Sequence, residues 1–194
     1  MASVTGFGPP VVPLRLSATR SGHDHGVTKL QTLLEQESEL ASRAVAILTS
    51  TTNAVLATIR ADGSPRVSGI DPFIVDGELC IGSMDGARKA QDLARDPRMA
   101  LHAIPWESRR TKEGEPDPGD ADAKLTGRAV PVTDPDEQAK VLGWFKDERG
   151  FEPPPGRDLF TIDIDSLVVV SVDGEELVID RWTAQDGRRT IRRA

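Results

Sequence analysis

The chain has 194 residues, with 24 Lys and Arg against 31 Asp and Glu, a formal net charge of −7, 38% hydrophobic residues and 28% charged residues. That balance fits a globular chain with one sizeable core, and the acidic excess argues against general affinity for nucleic acid, which needs a basic surface. No apolar run approaches the ~20 residues that cross a bilayer, and the first twenty residues lack the basic start and unbroken apolar stretch of a secretory signal, so a cytoplasmic protein with no membrane partner is expected.

Residues 1–27 are rich in Gly, Pro, Ser and His without periodicity and read as a flexible N-terminal arm, leaving 28–194 as a single domain. His23-Asp24-His25 lies in that arm with no distant third ligand, so no metal site is expected. From Thr28 the pattern changes. Thr28 and Gln31 have capping-box spacing, and Leu30, Leu33, Leu34, Ala41, Ala44, Val45 and Leu48 recur at helical intervals, which predicts one amphipathic helix.

Three strands in a meander are predicted next, TNAVLATI, SPRVSGIDPFIV and ELCIGS, joined by turns at Ala61-Asp62-Gly63 and Asp76-Gly77. Cys80 is the lone cysteine. It falls at a half-buried strand position and carries no expected chemistry. Asp85 to Asp96 is helix-like and is stopped by Pro97. RMALHAIP then reads as a strand whose His102 is structural, and Glu107 to Asp122 as an exposed loop. ADAKLTGRAVPV is a further strand, and Asp134-Pro135-Asp136-Glu137 opens a helix with an N-cap and a proline at its first position. DLFTIDID, LVVVSV, the turn Asp173-Gly174 and EELVIDRW complete a pattern of six or more antiparallel strands with a few flanking helices. Strand and helix do not alternate as parallel sheets require, and closure into a barrel removes exposed edges.

The sequence has no G-x-S-x-G, H-E-x-x-H, P-loop or paired cysteines, which removes most support for hydrolase and zinc-enzyme readings. The informative groups are Arg66 and Ser68 in the second strand, Gly82-Ser83 at the end of the third, and Arg88-Lys89 in the first turn of the next helix. Hydroxyls, cations and free helix N–H groups gathered at one end of a meander suit a phosphate dianion. Trp106, Trp144 and Trp182 offer flat faces for a ring system. The apolar helix side places Trp144 in the core, and the other two stay open. The run Arg181, Arg188, Arg189, Arg192 and Arg193 suits an anionic ligand, an acidic partner or plain solvation.

The stretch SPRVSGIDPFIVDGELCIGSMDGARKAQDLARDPRMALH resembles the flavin-binding core of the pyridoxamine 5'-phosphate oxidase-like family, with looser similarity from about Val45 to the C-terminus. The resemblance implies a six-stranded antiparallel split β-barrel with flanking helices, assembled as a homodimer, with FMN or the deazaflavin coenzyme F420 in a groove between subunits. By position, Arg66 matches the arginine that approaches the cofactor phosphate, Ser83 a hydroxyl position, and Arg88-Lys89 the basic pair. With Ser68, these are the candidate cofactor-binding residues.

Two positions depart from the family pattern. Ile70-Asp71 stands where the oxidase has a second basic residue, which puts a repulsive carboxylate near the phosphate, and Ala87 stands where it has serine. The arginine and histidine that grip pyridoxal phosphate are not recognisable in EELVIDRWTAQDGRRTIRRA, so vitamin B6 oxidation is not expected. The tail resembles actinobacterial members that include reductases using FMN or F420. The implied activity is hydride transfer between a flavin or deazaflavin and a small conjugated or quinone-like substrate. A non-catalytic flavin or haem carrier or sensor on the same barrel is the alternative.

Overall fold

The computed structural model describes residues 28–50, 54–103, 121–153 and 156–194. The segment expected as one helix forms two, α1 (Leu30–Gln36) and α2 (Ser38–Thr49), because Glu37 leaves helical backbone at φ −133° and ψ 52°. The capping box at Thr28 and Gln31 does not form. Thr28 is extended and exchanges backbone hydrogen bonds of 3.0 and 2.9 Å with Ile164, so Lys29 takes the N-cap position without a side-chain bond. The apolar spacing is nevertheless realised, with Leu30, Leu33, Leu40, Ala41, Ala44 and Leu48 all buried against the sheet.

The remaining elements are β1 (Ala54–Ile59), β2 (Pro65–Ile70), β3 (Pro72–Val75), β4 (Glu78–Ser83), α3 (Arg88–Arg95), β5 (Arg98–Ala103), β6 (Asp122–Pro131), α4 (Pro135–Arg149), β7 (Asp158–Asp173), β8 (Glu176–Thr183) and β9 (Gly187–Arg193). Among the described residues this makes nine strands in one antiparallel sheet, ordered β2-β1-β5-β6-β7-β4-β3, with β8 and β9 added beyond β7. β2 and β3 stand at opposite ends of that order, yet only Asp71 separates them in the chain. One bent segment therefore belongs to both edges, and the sheet curls round into the split barrel. The segment expected as one middle strand of a meander is thus two, its first half pairing with β1 and its second with β4.

DLFTIDID and LVVVSV are in turn one strand, β7, which is long enough to pair with β4, β6 and β8. Its pairing with β6 shifts between Thr126 and Gly127, where Asp165 is left out of the ladder. A Cβ at Gly127 would stand 2.2 Å from the Asp163 carbonyl oxygen, so this crossing of the two strands requires glycine.

A second, smaller apolar cluster forms where α4 covers β3, gathering Phe73, Val75, Cys80, Val132, Val141 and Leu159 with Trp144 and Phe145 packed on it. Trp144 stacks on Phe73 at 4.9 Å between ring centroids, as its place on the apolar helix side requires. Cys80 is buried rather than half-buried, and burial pushes its thiol up to about 11, which leaves it inert. Trp182 is also buried in the main core, while Trp106, His23 and His25 lie outside the described residues. Among the described residues no cluster of metal-ligating side chains forms, and no helix is long and apolar enough to cross a membrane.

The start of α4 follows the sequence closely. The Asp134 carboxylate accepts from the N–H groups of Asp136 and Glu137 at 2.9 and 3.1 Å, with Pro135 next in the chain. Asp134→Ala is expected to cost about 1 kcal/mol, the usual worth of such a cap, measured as a lower midpoint in chemical denaturation.

Candidate functional site

Arg66, Ser68 and Ile70 alternate along one face of β2, and Arg66 stands directly across from buried Thr58 of β1. α3 lies over this pair and presents Asp92. The Asp92 carboxylate, with its side chain 5% exposed, accepts from Arg66 Nε at 2.5 Å, Thr58 Oγ1 at 3.0 Å and Arg95 at 3.1 Å. Burial alone raises such a carboxyl, but the three donors outweigh it and hold Asp92 below its ordinary value. Arg66 is therefore gripped by its Nε edge. Its two terminal nitrogens make no hydrogen bond to the described residues, which leaves the outer edge of the guanidinium fork open to an anion.

One turn earlier on the same helix, Lys89 donates to the Gly69 carbonyl at 2.6 Å, which ties α3 to β2 beside Ser68. Its partial burial pulls the ammonium pKa down. Lys89 shares a narrow crevice with Ser83, floored by Leu56, Ile70 and Ile81. Ser83 is buried, and its Oγ has no hydrogen-bond partner. Ala87 is the N-cap of α3 and offers no side-chain bond, so the first-turn N–H groups are uncapped at the same end. Arg88 projects from that turn, exposed and without an ion-pair partner among the described residues.

Ser83 and Lys89 thus line one crevice under the start of α3, with Arg88 exposed on the same turn, while Arg66 and half-buried Ser68 lie along β2 and Arg66 is held by Asp92 one turn further down the helix. Cationic side chains, a hydroxyl and free helix N–H groups in this region suit an anion such as a phosphate. Two carboxylates limit the space. Asp158 stands directly across from Ser83, and its carboxyl is raised by burial and by the charge of nearby Asp85.

Asp71, a residue that departs from the family pattern, faces α4. Its Oδ2 lies 3.5 Å from Arg149 of α4, and it lines a separate cavity with Phe73 and Gly82. Burial raises its carboxyl despite Arg149, so the folded chain binds this proton more tightly than the unfolded chain does. Stability from this group accordingly falls as pH rises past the ordinary carboxylate value near 3.8. Asp71→Asn is expected to raise the melting temperature at pH 7 and to leave it unchanged below pH 3, in paired thermal melts.

His102 pairs with Asp122 at 3.3 Å on the outer sheet face, in keeping with a structural role. The arginine-rich end is a strand, β9, which composition alone did not suggest. Arg188 meets Glu39 and Asp180, and Arg192 meets Asp173 and Glu176, whereas Arg181 and Arg189 stand opposite each other, exposed.

No curated protein is similar to the chain in sequence. Several solved structures share its fold at low identity. A haem-binding protein from Mycobacterium smegmatis is 21% identical with a TM-score of 0.54, covering 73% of this chain and 57% of that one. A pyridoxamine 5'-phosphate oxidase-related, FMN-binding protein from Nostoc punctiforme is 13% identical with a TM-score of 0.52, covering 84% and 97%. PhzG from Burkholderia lata, in complex with tetrahydrophenazine-1-carboxylic acid, is 13% identical with a TM-score of 0.51, covering 88% and 95%. The family model described as pyridoxamine 5'-phosphate oxidase matches residues 40–171, a span that holds Arg66, Ser83, Lys89 and the barrel strands from β1 into β7. The chain belongs to the pyridoxamine 5'-phosphate oxidase family.

Proposed function

We propose that the chain is a flavin-dependent oxidoreductase that binds FMN, or alternatively F420, with the cofactor phosphate held by Arg66, Ser83, Lys89 and the first turn of α3, and Ser68 and Arg88 beside it. The observation that carries this reading is the buried Ser83 hydroxyl, unpartnered next to Lys89 at an uncapped helix start. Leaving a buried hydroxyl unsatisfied costs about 1–3 kcal/mol, and a bound phosphate oxygen removes that cost.

The ring supplies the hydride chemistry when bound. The protein's own groups position the phosphate, with Asp92 fixing the angle of Arg66, and Leu56, Ile70 and Ile81 exclude water beneath the site. A homodimer fits the exposed apolar side chains of the outer sheet face, where Val55 and Val67 lie on neighbouring strands at 43% and 70% exposure. Light scattering is expected to give the mass of two chains.

Turnover separates the enzyme from a carrier on the same barrel. The protein is loaded with FMN or F420 and mixed with a series of quinones and an excess of a hydride donor that re-reduces the cofactor, with donor and quinone alone as the blank. Many acceptor molecules reduced per cofactor support the oxidoreductase. Oxidation that stops at one equivalent, across all acceptors, supports the carrier.

A further inference from the structure

Beside the phosphate cluster, on the other side of Gly82, a cavity of about 360 Å³ opens between β3 and α4, a size typical of small-molecule sites. Its apolar wall is Phe73, Phe145 and Phe151, and its charged groups are Asp71, Arg149 and Arg157. The two arginines are not equivalent. Arg149 lies over Trp144 and faces Asp71 at 3.5 Å, so its charge is met within the fold. Arg157 has no carboxylate at ion-pair distance among the described residues, and its buried Nε has no hydrogen-bond partner. Its guanidinium rests over Phe145 and Phe151, 5.9 and 5.4 Å from the ring centroids, which fixes the plane of the fork.

We propose that this cavity binds a small planar aromatic monocarboxylate, its carboxylate on Arg157 and its ring among the phenylalanines. A stacked, unpaired guanidinium matches a carboxylate in a bidentate geometry that an ammonium cannot offer. The charges on the wall sum to one positive charge. Asp71, with Asp85 and Asp158 at the adjoining strand end, repels a second negative charge, so a monoanion is preferred to a phosphate ester. Phe151 is 46% exposed, which leaves an apolar side chain standing where a ring would cover it.

As a binding site this assignment needs no cofactor. Gly82 lines both this cavity and the Ser83–Lys89 crevice, so the bound acid sits next to the cofactor cluster, and its assignment as substrate rests on the flavin reading.

The full chain, free of flavin, is titrated with 2-naphthoate, 2-naphthamide and 2-naphthyl phosphate, and FMN is titrated separately into the same protein. Naphthoate is expected to bind at least tenfold tighter than the other two. Arg157→Gln should lose tenfold or more for naphthoate and nothing for FMN, and Phe151→Ala, at an exposed position, should weaken naphthoate without lowering the melting temperature. Asp71→Asn should narrow the gap to the phosphate ester. Equal binding of amide and acid, tighter binding of the ester, or indifference to Arg157→Gln overturns the inference. Naphthoate binding without FMN binding leaves it standing and removes only the flavin reading.

Discussion

Arg66→Ala is expected to weaken FMN binding by about 30–100-fold, the equivalent of ~2–3 kcal/mol for a lost charge-assisted pair to phosphate, while riboflavin binding stays unchanged. The size of the effect follows from how Arg66 is held. Asp92 takes its Nε at 2.5 Å, so the outer nitrogens are aimed rather than free to rotate, and little ordering entropy is lost when an anion arrives. Arg66→Lys keeps the charge, but a lysine cannot donate to Asp92 and to a phosphate along two edges of one fork, so an intermediate loss is expected. Removing Arg66 also leaves buried Asp92 with only Thr58 and Arg95, and a lower melting temperature should accompany the binding loss. Riboflavin lacks the phosphate, and its unchanged affinity distinguishes lost anchorage from general damage.

Gly127→Val is expected to cost about 3 kcal/mol or more, on the scale of severe overpacking, and to lower the melting temperature of a chain this size by ~6–12 °C. The Cβ would meet the Asp163 carbonyl at 2.2 Å, and that oxygen belongs to backbone in the longest ladder of the sheet, so neither strand yields without loss of pairing. Gly143 is the control. It lies within α4 with nothing within 4 Å of an added Cβ, so Gly143→Ala should stabilise by up to ~1 kcal/mol through helix propensity. Differential scanning calorimetry of the two variants reads both signs.

The parts of the fold that depend on local rules were legible in the sequence. The turn at Asp76-Gly77, the Asp134 cap and the apolar spacing of Leu30 to Leu48 each follow from residues near one another in the chain. The parts that depend on barrel closure were not. Asp71 splits one apparent strand because its two halves must join opposite sheet edges, and Thr28 gives up its cap because an extended backbone there completes a bridge to Ile164.

β9 was hidden by its arginines. Their charges are met partly by Glu39 and Asp180, residues distant in sequence or on the neighbouring strand. At the candidate site, residue type and spacing pointed to Arg66, Ser68, Ser83, Arg88 and Lys89. They did not point to Asp92, because an aspartate in a helix reads as solvated until Arg66 and Thr58 are seen across from it. Asp71 was read as a flaw in a phosphate site. Its partner Arg149 lies on α4, far along the chain, so this ion pair could not be read from the sequence alone.

The measurement that bears most directly on the central claim is a calorimetric titration of the purified chain with FMN and with riboflavin, at low and moderate salt. Saturable FMN binding, at least tenfold tighter than riboflavin and weakened by salt, is the result predicted for a phosphate held by Arg66, Lys89 and the α3 amides. Equal affinity for FMN and riboflavin, or binding of neither, would contradict the placement of a cofactor phosphate at this cluster.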